Sequence, residues 1–222
     1  MHYMILSAIH LPLLFAVSVI VRHWKKESPA FKWLAIVLLF SFACDAGSIS
    51  NRLLKLGLEP NLPSNLHTML NPFLIGFFFF YLLRGRLLSF ILIGFLAVNF
   101  LFSLSLPLST QAYSSYNTLT ESFLILALSI TWYFRVLKNP PASDIQLYPE
   151  FWVVTGFFLS TSGKVCVYTV STYLLNVLND NLVTLTTIHN LLSVLGNALI
   201  ACGLFIRSKH FRRLENPFIR PD

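Results

Sequence analysis

Residues 33–54 read WLAIVLLFSFACDAGSISNRLL, an apolar run in which Asp45 is the only acidic side chain. An α-helix rises about 1.5 Å per residue, so the run is long enough to cross the ~30 Å hydrocarbon core of a bilayer. It does not alternate between apolar and polar residues, as the strands of membrane β-barrels do. Because only helices and closed barrels satisfy the backbone in lipid, the run is predicted to be a transmembrane helix.

The rest of the chain repeats this pattern. Only 11% of the 222 residues are charged, compared with about 25% in soluble domains. We therefore predict an all-α membrane protein, a seven-transmembrane-helix bundle formed by residues 1–206, followed by a basic cytoplasmic tail, 207–222. The predicted spans are 4–22, 33–54, 65–83, 87–106, 114–136, 150–174 and 183–206.

The basic residues indicate the orientation of this bundle. Alternate loops and the tail hold thirteen Lys and Arg side chains, whereas the opposite loops hold only Arg52 and Lys55. The positive-inside rule then predicts a cytoplasmic C-terminus and an N-terminus outside. The first run is predicted to be a retained helix, because its basic residues follow it, the reverse of a signal peptide. The thirteen are Arg22, Lys25, Lys26, Lys32, Arg84, Arg86, Arg135, Lys138, Arg207, Lys209, Arg212, Arg213 and Arg220.

This distribution also bears on partners. The formal net charge of +7 is divided between the loops and the tail and forms no single stripe. Topology accounts for it, so membrane lipids are the expected partners and nucleic acid is not.

Ionisable residues inside predicted spans are costly and tend to mark function. Four lie at mid-depth or in the outer half, and uncharged polar residues, including His67, fall at the same level. This layer predicts a polar cavity that opens toward the outside and takes a small or lipidic ligand. The candidate ligand-binding residues are Asp45, Glu121, Lys164, His189, Asn71, Asn99, Tyr168 and Asn190.

Two interpretations of the charged residues stay open. In the structural interpretation, Lys164 and one acid only cross-link helices. The second acid would then need a proton or a bound cation, and this need favours the other interpretation, a ligand site. His67 and His189 are lone histidines, more typical of hydrogen-bonded core residues than of ligands.

No set of residues has the spacing of a catalytic triad or a metal site, so no catalytic residue, metal or cofactor is expected.

Other patterns predict packing. Asn71-Pro72 predicts a kink at which the Asn71 side chain serves a freed carbonyl. Phe77 to Phe80 are expected to pack and to contact lipid. Gly156, Gly163, Gly196 and Gly203 predict close contact between the last two spans. Three cysteines within apolar runs are interpreted as small core residues: Cys44, Cys166 and Cys202.

Several short motifs between residues 114 and 206 carry a family resemblance. They are Glu121-Ser122, Tyr133-Phe134, Asn139-Pro140-Pro141, Pro149-Glu150-Phe151-Trp152 with Gly156, Ser162-Gly163, and Ile188-His189-Asn190 with Asn197. This part of the chain resembles small uncharacterised seven-transmembrane proteins of Bacteroidetes, which are similar to the membrane input segments of sensor histidine kinases. The resemblance implies a sensor-like module of the bacterial cytoplasmic membrane. Signalling by such a module would need a separate cytoplasmic partner, which we expect to be reached through the tail.

The functional expectation is therefore a multi-pass, sensor-like or ligand-binding module. One alternative is an intramembrane lipid hydrolase of the lysoplasmalogenase type, which would use Asp45 and Glu121 as paired carboxylates. The other is a structural membrane subunit. An enzymatic reaction is left open and is the less favoured interpretation.

Overall fold

A computed structural model describes most of the chain: residues 14, 17–18, 20–54, 62–83, 94–97, 111–140, 144–173 and 183–215. Five long helices are formed there, with two short 3₁₀ helices, Trp24–Lys26 and Ile145–Leu147. Every element in these ranges is helical. The long helices are α1 (Pro29–Leu54), α2 (Leu62–Leu83), α3 (Gln111–Lys138), α4 (Pro149–Tyr173) and α5 (Val183–Glu215).

All five long helices are long and apolar enough to cross a membrane. They correspond to the predicted spans 33–54, 65–83, 114–136, 150–174 and 183–206, so the chain is a multi-pass membrane protein and its described residues form helices without strands. The predicted spans 4–22 and 87–106 lie largely outside the described residues. Within them, residues 14, 17–18, 20–22 and 94–97 are helical.

Contacts between the helices give their directions. Trp33 stacks on Phe77 at 4.7 Å between ring centroids and Phe40 stacks on His67 at 6.0 Å, so α1 and α2 are antiparallel. The Tyr133 hydroxyl lies 2.8 Å from the Thr155 hydroxyl across the antiparallel pair α3 and α4.

The helices α2 and α3 run in the same direction. Asn71 of α2 contacts Glu121 of α3. Further along α2, Phe78 packs on Phe157 of α4. Further along α3, Tyr133 packs on the neighbouring residue of α4, Phe158. Leu83 and Gln111 therefore lie toward opposite ends of the bundle.

One end of the bundle collects the basic residues; we call it the basic end. The helices α1 and α4 begin there, and α2, α3 and α5 approach it with their C-terminal halves. Arg135 and Lys138 occupy the last turn of α3, and Lys25 and Lys26 precede α1. This is the one-sided distribution that the positive-inside pattern requires.

An ion pair closes this end. Arg207 of α5 donates to the Glu27 carboxylate through Nη2 at 2.9 Å and Nε at 3.1 Å. The Glu27 side chain is completely buried, and the Arg207 guanidinium lies 5.0 Å from the centre of the Phe31 ring. The segment before α1 is thus fixed to α5, a contact that the sequence did not predict.

The hydrophobic core fills the half of the bundle nearest the basic end. Phe78 and Phe79 are fully buried and pack on Phe157 at 5.8 and 6.3 Å between ring centroids. Phe77 is 42% exposed, which fits lipid contact. The expected packing is confirmed for Phe78 and Phe79, and the expected lipid contact stays a prediction.

The antiparallel helices α4 and α5 meet along their glycines. A Cβ atom added to Gly203 would lie 2.6 Å from the Pro149 carbonyl oxygen, and one added to Gly196 would lie 2.7 Å from that of Gly156. Ordinary van der Waals contact begins near 3.4 Å, so any larger residue would push the helices apart. The predicted close packing of these two spans is confirmed.

Three details differ from the sequence-based expectation. The helix α1 begins at Pro29, before the predicted 33, because proline suits the first turn of a helix. The helix α5 continues to Glu215, beyond the predicted 206, because basic residues end the apolar run without ending the helix. Cys166 is exposed instead of lying in the core, whereas Cys44 is buried.

Candidate functional site

The half of the bundle away from the basic end holds most of the buried polar side chains, which we call the polar layer. They come from the C-terminal half of α1, the N-terminal halves of α2 and α3, and the C-terminal half of α4. Buried polar groups need partners in a low-dielectric interior. The layer comprises Asn51, Asn65, Thr68, Asn71, Thr118, Glu121, Ser122 and Thr161.

His67 lies on α2 within this layer. Its Nε2 atom is 3.1 Å from the Ser41 hydroxyl of α1, and either group is able to donate according to the imidazole tautomer. The ring stacks on Phe40, with a centroid separation of 6.0 Å and an interplanar angle of 6°. These contacts hold the imidazole against α1.

Three ionisable side chains from three other helices lie close enough to His67 to act on its imidazole electrostatically: Glu121 of α3, Lys164 of α4 and Asp45 of α1. With His67 they form what we call the ionisable cluster. The cluster therefore contains two acids, one lysine and one histidine, and each of the helices α1 to α4 contributes one of them.

Glu121 is the most deeply buried acid of the cluster, with 1% of its surface exposed. Its Oε1 atom accepts a hydrogen bond of 2.5 Å from the Asn71 side-chain amide. Among the described residues, Glu121 Oε2 and Asn71 Oδ1 have no hydrogen-bond partner. Asn71 therefore joins α2 to α3 through Glu121, and the expectation that it serves a carbonyl freed by Pro72 is wrong.

The other predicted site residues are located as follows. Tyr168 lies one turn beyond Lys164 on α4 and is 38% exposed. Asn190 is half-buried on α5, near the level at which Gly163 meets Leu192. The backbone of His189 belongs to α5, but its side chain and the whole of Asn99 lie outside the described residues.

His67 is the functional candidate that sequence reasoning undervalued. A lone histidine in an apolar span has no visible partner, so it was interpreted as a core residue. The available signal was the spacing of Asn65, Thr68 and Asn71, since residues three apart share one side of a helix. Asn71 on that side meets Glu121 of α3, and His67 lies beside it.

The chemistry of this arrangement is acid–base and electrostatic. Carboxylates and an ammonium group are able to bind opposite charges, and buried acids also bind protons. Ser41 and His67 form a hydroxyl–imidazole pair of the kind that activates a serine nucleophile. Within the described ranges, no group of three or more His, Cys, Asp or Glu side chains is arranged to hold a metal ion.

Comparison of the chain with models of known families, with curated proteins and with solved structures gives no match. The resemblance to the Bacteroidetes proteins therefore stays a prediction, and function has to be argued from the site itself.

Proposed function

We propose that this chain is a sensor-like, ligand-binding protein of the bacterial cytoplasmic membrane, which takes a small or lipidic ligand into a polar cavity at the ionisable cluster. The observation that carries the proposal is the convergence of Asp45, Glu121 and Lys164 on His67. Such groups are expensive inside a membrane and usually mark binding or transport sites.

Helix cross-linking alone accounts for only part of the cluster. One lysine balances one carboxylate, and a buried pair of this kind fixes how two helices are rotated. A second acid, Glu121, then lies fully buried with one oxygen unpaired. A site that takes up a proton or a cationic ligand group gives this acid a role that helix cross-linking through Lys164 does not.

The seven-span topology also belongs to this proposal. The shared direction of α2 and α3 supports a return crossing between them, which a fourth span at 87–106 would provide. Placing the basic end in the cytoplasm follows the positive-inside rule. The polar layer then lies in the outer half of the membrane, and the ligand enters from outside.

A sensor-like role is supported by α5. Its 33 residues correspond to about 50 Å at 1.5 Å per residue, well beyond a ~30 Å hydrocarbon core. One uninterrupted helix therefore connects the level of Asn190 with the basic residues 207–213. We propose that this helix transmits the occupancy of the site to a separate cytoplasmic partner.

A hydrolase is the second candidate, and one contact favours it. The Ser41 hydroxyl lies 3.1 Å from His67 Nε2, and two carboxyl groups, those of Glu121 and Asp45, lie near the same imidazole. A serine beside a histidine is the nucleophile–base arrangement of acyl-transfer enzymes. This candidate uses Ser41 as nucleophile and does not require the paired-carboxylate chemistry expected from the sequence.

One experiment separates the candidates. Purified protein is incubated with lysophosphatidylethanolamine, a zwitterionic amphiphile, and both thermal stability and fatty-acid release are measured. The ligand-binding proposal predicts that the melting temperature rises without hydrolysis. The rise should disappear in the charge-neutral double variant Lys164→Met with Asp45→Asn. The matched control, Lys138→Met with Asp144→Asn, makes the same changes at exposed positions and should keep it.

Two results would count against the ligand-binding proposal. Fatty-acid release that Ser41→Ala abolishes would identify a hydrolase. The second result would be that neither lysophosphatidylethanolamine nor soluble zwitterions such as amino acids change the melting temperature of the native protein more than that of the double variant. The cluster would then be structural.

A further inference from the structure

The contact between Asn71 and Glu121 uses only half of their polar side-chain atoms. Each side chain offers two polar atoms, and one contact, from the Asn71 amide nitrogen to Glu121 Oε1, joins them. The two atoms left over, Asn71 Oδ1 and Glu121 Oε2, are both oxygens and are both buried without a partner within the described residues. Two acceptors cannot satisfy each other unless one of them carries a hydrogen.

We infer that Glu121 is a proton-binding site, in which a proton held on Oε2 is donated to Asn71 Oδ1 and closes a two-way acid–amide pair. A protonated carboxyl group is both donor and acceptor, and a primary amide is the same. One proton therefore satisfies both remaining oxygens. Leaving both unpaired would be unfavourable, because each buried oxygen would lose its hydrogen bonds to water and gain none in exchange.

The surrounding charges agree with a neutral Glu121. The side chains that act with it on His67 are Asp45 of α1 and Lys164 of α4. If Glu121 carries a proton, the charges of Asp45 and Lys164 balance and the cluster has no net charge when His67 is neutral. If Glu121 is ionised instead, one negative charge remains in the membrane interior, which is costly. The proton proposal rests on these contacts and does not depend on the identity of any other ligand.

A bound sodium ion is the competing explanation for two free oxygens. Hard cations such as Ca²⁺ and Mg²⁺ take about six or more oxygen ligands. Asn71 and Glu121 supply only two free oxygens for such an ion. The third oxygen, Glu121 Oε1, already accepts a hydrogen bond from Asn71. The direct contact between the two side chains thus favours a proton.

Infrared spectroscopy of the full-length protein in lipid nanodiscs tests the inference. A protonated carboxyl group has its own carbonyl stretching band, which shifts in heavy water. At neutral pH we expect one such band, lost in Glu121→Gln and shifted in Asn71→Ala, where the amide partner is missing. Asp45→Asn should retain it. So should the matched control Glu150→Gln, which changes an acid in the first turn of α4.

Isotope labelling of the native protein tests the same inference without a substitution, so the result does not depend on whether a variant folds. In the native protein, ¹³C in the glutamate side chains should shift the band, and the same label in aspartate should not. The absence of a band at neutral pH, or a band that responds to Asp45→Asn and not to Glu121→Gln, would overturn the inference. A melting temperature that falls when sodium is replaced by N-methylglucamine, with no carboxyl band, would show a cation site instead.

Discussion

Gly196→Ala is expected to destabilise the protein by about 1–3 kcal/mol, the usual cost of an overpacked interior. The new methyl group would lie 2.7 Å from the Gly156 carbonyl oxygen and 2.7 Å from the Ser160 Cβ atom. Neither atom is the end of a flexible side chain, so α4 and α5 must separate. Reversible unfolding of the purified protein in detergent, followed by circular dichroism, measures the loss.

Gly47→Ala is the matched control for this change. Gly47 also lies in a membrane-spanning helix, but apart from its chain neighbours and the backbone of its own helix, no heavy atom of the described residues comes within 4 Å of its added methyl group. Alanine is the better helix former by roughly 1 kcal/mol, so Gly47→Ala should leave stability unchanged or raise it. Equal effects of the two substitutions would contradict the close packing of α4 and α5.

Arg207→Met is the second change with a large expected effect. It leaves the Glu27 carboxylate buried without its cation, and breaking a buried ion pair in this way costs about 3–5 kcal/mol. The Arg207 side chain is 22% exposed, so the loss should lie toward the lower end of that range. The contact with the Phe31 ring is lost as well. Thermal unfolding in detergent provides the measurement.

The double variant Glu27→Gln with Arg207→Met should recover much of this stability, because no unpaired charge remains. Arg135→Met, at an exposed position in the last turn of α3, removes a basic residue from the same end and should have little effect. If the double variant is no more stable than Arg207→Met alone, the ion pair does not account for the loss.

Hydropathy predicts the spans well because it measures which residues enter the bilayer, and five of the predicted spans correspond to described helices. It predicts the ends of the helices less well, because a membrane boundary is not a helix boundary. The helix α5 therefore continues to Glu215 through the basic residues that were expected to begin a tail.

The level of the candidate site was predictable, but its composition was not. Position along a helix sets depth, so Asp45, Glu121 and Lys164 were expected in one layer. Which side of the helix a residue faces depends on tertiary packing, and this packing brings the three charges to His67. The buried pair of Glu27 and Arg207 was missed because the two residues lie 180 positions apart in the sequence.

The central claim is that Asp45, Glu121 and Lys164 form one cluster within the membrane, and a double-mutant cycle on Lys164 tests it most directly. The stability of Lys164→Met is measured alone, with Asp45→Asn and with Glu121→Gln. We expect Lys164→Met to destabilise the protein, Asp45→Asn to restore stability, and Glu121→Gln not to restore it, because Glu121 is already neutral. Effects that add within about 0.5 kcal/mol in both pairs would mean that the residues do not interact, and the proposed site would be contradicted.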